Sequence, residues 1–166
     1  MYTINTIDVT HEMIAGKGKR FGNYIIDSLI RYAILLGLGV LAGLLYNLGY
    51  DTLYLWVIEI SSFEEVLYGY LFLFVYYIVF ESFSQRTLGK YITGTMVVME
   101  DGTKPTFKVI LLRSLCRMIP FDPFSFLSDK PRGWHDSLVN TYVVNVKVYK
   151  AALELRNSFE EIGSNQ

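Results

Sequence analysis

The sequence predicts a mainly α-helical membrane protein. Two transmembrane helices, a cytoplasmic interfacial or re-entrant helix and a small antiparallel β-sheet are expected. Three observations lead there. The chain of 166 residues is 52% hydrophobic, and this excess is gathered into two long runs instead of the dispersed pattern of a soluble core. No Lys or Arg occurs between Arg31 and Arg86. The segments over about 95–101 and 137–148 are strand-like, the second alternating in polarity.

Residues 2–9 are rich in β-branched types and read as a short strand. Ala15-Gly-Lys-Gly-Lys-Arg20 follows as a flexible basic stretch. The first membrane helix is expected over about 21–50, since ~20 residues at 1.5 Å each cross a ~30 Å hydrocarbon layer. Its apolar run is longer than a signal-peptide core and no small-residue cleavage site follows, so it reads as an uncleaved span. Gly39 and Gly43, with Ala33 and Gly37, have the small-residue spacing that admits a second helix.

Residues 51–65 form a base-free connection bordered by Tyr46, Tyr50, Tyr54 and Trp56, aromatic types that favour the headgroup level. Ser62-Phe-Glu-Glu65 has capping-box spacing and is expected to open the second helix, about 63–83. Basic residues flank the start of the first helix and the end of the second. Both termini are therefore expected in the cytoplasm and the 51–65 loop outside.

Strands are expected at about 95–101, ending in the Asp101-Gly102 turn, and at about 137–148. If the two pair, the apolar stretch between them cannot cross the membrane once. Residues 107–127 contain Lys108, Arg113, Arg117, Pro120 and Asp122 and read as an interfacial helix broken at Pro120. A third crossing, which would place the C-terminus outside, is the alternative. The layout is one membrane domain over residues 1–150 and a polar tail over 151–166.

Composition narrows the function classes. A net charge of −1 gives no basis for nucleic-acid binding. The single cysteine, Cys116, cannot form a disulfide within the chain, and the two histidines lack metal-ligand spacing. Thr87-Leu-Gly-Lys90 lacks the upstream glycines of a phosphate loop and reads as a helix stop with a basic anchor at anionic lipid. His135-Asp136 has no serine or cysteine nucleophile placed with it and reads as a turn in which Asp136 caps or pairs with arginine. The expectation is a non-enzyme without cofactor.

The best site candidate is a set of charges at the membrane border: Arg20, Asp27, Arg31, Glu81, Arg113, Arg117 and Asp136. Asp27 and Arg31 are four residues apart and share a helix face, so they are expected to pair. Arg113 and Arg117 also share a face and suit either carboxylates or lipid headgroups. The set reads two ways. It is a salt-bridge network that fixes the helices, or it is an ion or proton site in which a carboxylate exchanges partners.

In order, Arg20-Phe-Gly-Asn-Tyr-Ile-Ile-Asp27, Thr87-Leu-Gly-Lys90 with Gly94-Thr-Met-Val-Val98, Arg113 with Arg117, and Arg132-Gly-Trp-His-Asp136 with Thr141-Tyr-Val-Val144 resemble the motifs of the RDD family of small bacterial membrane proteins. The resemblance runs from about Ile4 to Val146. Arg31 departs from it. It implies an integral protein of the bacterial cytoplasmic (inner) membrane with its motifs on the cytoplasmic side. Some members of the family have been proposed to move ions or protons. The leading expectation is therefore a transport or transport-accessory component such as a monovalent cation/proton exchanger. The alternative is a non-catalytic scaffold or assembly subunit that binds another membrane protein. Two crossings cannot enclose a pathway, so transport requires a homo-oligomer or a second membrane protein in addition to the lipid bilayer.

Overall fold

The computed structural model describes residues 6–119 and 132–164. The start of the expected first strand (2–5), the break expected at Pro120 and the remainder of that helix to 127 lie outside the described residues. The chain is mainly helical, with two helices long and apolar enough to cross a membrane and a two-stranded antiparallel sheet.

Helix α1 spans Lys17–Asn47. At 1.5 Å per residue it is about 46 Å long, more than a hydrocarbon layer, so its ends extend beyond it. It begins earlier than expected. Lys17–Arg20 forms its first turn instead of a flexible stretch, because Arg20 is held inside the protein at 3% exposure. Apolar side chains such as Leu36, Val40 and Leu44 face outward. Within this chain nothing lies within 4 Å of a Cβ built at Gly37, Gly39 or Gly43, so the small-residue face has no neighbour among the described residues.

The connection contains an unexpected helix, α2 (Thr52–Glu59), folded against α1 with the Tyr46 and Tyr54 rings tilted against each other at 4.5 Å. Helix α3 spans Ser62–Ser84. The capping box that opens it lies one residue earlier than expected. Ser61 is the N-cap and Glu64 its reciprocal partner. The Ser62–Glu65 reading fails because Ser62 already has helical geometry, and a box needs its serine outside the helix.

Past α3 the chain turns at Gln85, in the left-handed region at φ 60°, into the short helix α4 (Leu88–Thr93). Strand β1 (Thr95–Met99) pairs antiparallel with β2 (Thr141–Asn145), with Val97 opposite Val143. Both are shorter than expected. Glu100–Asp101 belongs to the turn after β1. Residues 137–138 close helix α6 (Trp134–Leu138), Asn140 turns left-handed at φ 53°, and the residues after Asn145 already belong to α7 (Val146–Ser164). Helix α5 covers Phe107–Cys116 of the expected 107–127. The expected tail is thus a helix running through residue 150.

The sheet divides two environments, because side chains alternate across a strand. Met96, Val98 and Val144 pack with Met13 and Tyr149 in an apolar core that Ile7, Val9 and Ala152 border. The opposite face carries Thr95, Val97, Thr141 and Val143 toward α1 and α6. Both strand edges are occupied, which suppresses pairing with other chains. Gln85 exchanges two hydrogen bonds with Val97, and Ala15 N–H donates to Val143 carbonyl at 2.8 Å. Residues 6–10 form no strand; Val9 N–H donates singly to Glu100 carbonyl at 2.9 Å.

Gly102 closes the turn at φ +74°, where a Cβ would fall on the Ile7 carbonyl oxygen and within 2.8 Å of the Tyr149 hydroxyl. Gly102→Ala should therefore destabilise the protein by about 1–3 kcal/mol in thermal unfolding in detergent. Gly39→Ala, with open space at its Cβ, should leave the melting temperature unchanged or slightly raised. Equal effects at both positions would contradict this packing.

Candidate functional site

The polar face of the sheet looks onto a cluster of buried charges contributed by α1, α3, α4, α5 and α6. Glu81, one turn from the end of α3, is fully buried. It meets Lys90 at 2.9 Å, Arg113 at 3.0 Å and Arg117 at 3.2 Å. Asp136, on α6, is equally buried and meets Arg113 at 2.7 Å and Arg20 at 3.1 Å. Arg113 thus bridges the two carboxylates. Thr141 on β2 donates a further hydrogen bond to Asp136 at 2.9 Å. Arg117 stacks over the Tyr77 ring at 3.9 Å, and His135 Nε2 lies 3.4 Å from its guanidinium.

Burial alone would raise the Asp136 pKa. Arg113, His135 and Arg20 outweigh it and hold the carboxyl well below the usual carboxylate range. Burial pushes the Lys90 amine down to about 8, against the pull of Glu81. Lys90 is 2% exposed and is therefore no anchor at a lipid surface, as the sequence suggested. It turns inward because Glu81 offers a buried countercharge. Arg113 and Arg117 likewise reach a protein carboxylate.

Asp27 takes no part in those ion pairs. Its carboxylate accepts from the Tyr76 hydroxyl at 2.8 Å, the Thr87 hydroxyl at 2.7 Å and the Gly89 backbone N–H at 2.8 Å. The two hydroxyls in turn accept from the Leu88 and Lys90 N–H groups. One carboxylate on α1 therefore satisfies the opening N–H groups of α4, directly or through a hydroxyl, and ties in α3 through Tyr76. The approach requires glycine at position 89, where a Cβ would lie 2.7 Å from Asn23 carbonyl and 2.8 Å from the Asp27 carboxylate. Asn23, one turn before Asp27, bonds the Thr93 and Thr95 side chains.

The expected Asp27–Arg31 pair is not formed among the described ion pairs. Asp27 is occupied by α4. Arg31 instead crosses toward α3, with Nη1 3.5 Å from the position of a Cβ on Gly69 and its guanidinium 4.6 Å from the Tyr32 ring. It stands in a cleft of about 550 Å³ between α1 and α3. The cleft floor includes Arg20, Asp27, Lys90, Arg117, His135 and Asp136, and its walls rise past Arg31, Leu35, Gly69 and Tyr70 to Ser62 and Glu65.

Of the sequence-derived set, Arg20, Glu81, Arg113, Arg117 and Asp136 meet in one cluster. Asp27 lies beside it with a neutral partner set, and Arg31 stands apart in the cleft. Lys90, Tyr76, Thr87, Gly89 and Asn23 were not anticipated. Tyr76 had the appearance of an ordinary packing residue. Asn23 carried a usable signal, because it lies four residues from Asp27 on the same helical face. No group of three or more His, Cys, Asp and Glu suited to a metal ion occurs among the described residues.

The family model described as RDD family matches residues 14–146, and the chain belongs to that family. No curated protein and no solved structure matches it.

The ion pairs have a pH signature. The folded Asp136 carboxyl lies below its unfolded value of about 3.9. Its stabilising contribution is therefore complete above that value and is lost as acid drives the pH down toward the folded pKa. Asp136→Asn should cost roughly 3–5 kcal/mol at neutral pH, because Arg20 and Arg113 lose their shared anion. It should also flatten the acid limb of a stability–pH curve. A variant as stable as the parent, with the same acid limb, would contradict the cluster.

Proposed function

We propose that this RDD family protein is a membrane transport component, a monovalent cation/proton exchanger or a subunit of one, in which Asp27 is the exchanging carboxylate. One observation carries the reading. Of the three carboxylates buried among the described residues, Asp27 alone has only neutral hydrogen-bond partners and no ion pair, and it lines the cleft.

The chemistry of the partners separates the three. Glu81 and Asp136 face guanidinium and ammonium groups, which have donors and no acceptor. A proton on Glu81 would cost Lys90, Arg113 and Arg117 an ion pair each, and one on Asp136 would cost Arg20 and Arg113 theirs. The Tyr76 and Thr87 hydroxyls can reverse from donor to acceptor by rotation. A proton on Asp27 can then be donated back to a hydroxyl, and the loss is one rearranged hydrogen bond in place of an ion pair. A carboxylate beside two hydroxyl oxygens also offers the oxygen donors that a hard monovalent cation takes. The remaining charges form a fixed base on which this exchange takes place.

The cleft is open to the side, and two crossings per chain cannot surround it. The working unit therefore contains more than one chain. The Gly39–Gly43 face of α1, without a neighbour among the described residues, favours a second reading, in which the protein is a non-catalytic assembly subunit that packs on another membrane protein.

Purified protein in liposomes should dissipate an imposed proton gradient when sodium or potassium is added. Asp27→Asn, which keeps an acceptor for Gly89, should fold and abolish the exchange. A folded wild type that is silent, together with a stoichiometric membrane partner in mild-detergent purification, would replace exchange with the assembly reading. In the proposed orientation both termini are cytoplasmic. A reporter fused after Gln166 should therefore be active only in the cytoplasm, and an external signal would overturn that topology.

A further inference from the structure

Arg31 is the charged residue the exchange reading does not use. It lies beside Gly69, within the apolar centre of α3. A cation at that depth costs roughly 2.5–3.5 kcal/mol unless it is matched. No ion pair among the described residues matches it, and its Nε is buried without a hydrogen-bond partner. The Tyr32 ring is apolar compensation for its face only.

The surroundings point the same way. Four bases and three acids line the cleft, and the Arg113 and Glu81 side chains behind its floor leave that surplus unchanged. At the floor, Arg20 is 3% exposed and spends Nη1 on Asp136, while its Nε and Nη2 have no hydrogen-bond acceptor. Those two nitrogens form the edge of a guanidinium that takes a carboxylate or phosphate through parallel hydrogen bonds. Leu35, Val66 and Leu73 make the adjoining wall apolar, and the volume is that of a small-molecule or acyl-chain site.

We propose that the cleft between α1 and α3 binds a monoanionic oxyanion, a phosphate or phosphodiester, with Arg31 as its ligand and the Arg20 edge at the floor adding to the positive potential. One such anion balances the surplus charge and supplies the acceptor Arg31 lacks. Two sources carry this chemistry: the headgroup of an anionic phospholipid entering from the side, and a free phosphate. The inference does not rest on the exchange reading, because binding requires no gradient and no turnover.

The experiment uses delipidated full-length protein. One arm measures the melting temperature in detergent against inorganic phosphate. The other compares nanodiscs of phosphatidylcholine with and without phosphatidylglycerol. Arg31 makes no ion pair that folding would lose, so Arg31→Gln and Arg31→Lys serve as the variants. The expected result is a saturable rise in melting temperature for the wild type. Half-saturation should be weakened about tenfold or more in Arg31→Gln. Arg31→Lys should recover only part of the affinity, since a lysine keeps the charge and loses the fork. A response to phosphatidylglycerol alone assigns the site to a lipid headgroup. A response to inorganic phosphate as well assigns it to the phosphate group itself. No response in either arm, or an unchanged response in Arg31→Gln, overturns the proposal.

Discussion

The buried ion-pair network that ties the two long helices to the rest of the fold is centred on Glu81. Its carboxylate sits at the end of a membrane helix, fully buried, with cations from α4, α5 and the residue following α5 around it. Unpaired, each charge would be costly at this location; assembled, they hold one another in place. Arg113 then hands the network on to Asp136, and Asp136 to Arg20 on α1. A chain of ion pairs thus joins segments far apart in sequence without requiring α1 and α3 to pack along their length. Two membrane helices fixed at their bases and apart above leave a cleft between them.

Asp27 belongs to a different design. The short helix α4 offers N–H groups in a place with little water, and a carboxylate from α1 satisfies them. Hydroxyls from Tyr76 and Thr87 mediate the rest. This arrangement is held by groups that can reorient, whereas the Glu81 cluster is held by groups that cannot. On the proposed exchange reading, this contrast singles out Asp27 and leaves Glu81 and Asp136 as fixed countercharges. It also explains why an aspartate and an arginine one helical turn apart remain separate: the aspartate is already engaged, and the arginine has turned to the opposite wall.

Much of the layout was legible because it follows from periodicity and charge. The two apolar runs, the base-free stretch between Arg31 and Arg86 and the strand-like segments near Thr95 and Thr141 each have one physical meaning. Helix α2 was not read from the sequence: Asp51 is a favoured N-cap type, but Thr52–Glu59 is apolar on all sides and has no helical period to distinguish it from a connection. Gathering Arg20, Glu81, Arg113, Arg117 and Asp136 from sequence succeeded because a membrane border concentrates charge at one level. Pairing Asp27 with Arg31 failed because spacing states which groups are neighbours and not which has the better partner. Lys90 was misplaced for the opposite reason. Its partner Glu81 lies nine residues away, beyond any helical rule, and only the turn at Gln85 brings them together.

On the proposed reading, Asp27, and not Glu81 or Asp136, is the carboxylate that takes part in exchange. Infrared difference spectroscopy on reconstituted protein tests it most directly, through the carbonyl stretch of a protonated carboxyl group shielded from rapid deuterium exchange. At constant pH, replacing sodium or potassium with an inert organic cation should produce one such band, and Asp27→Asn should remove it. A shielded band that persists in Asp27→Asn, or none in the wild type, would contradict the account.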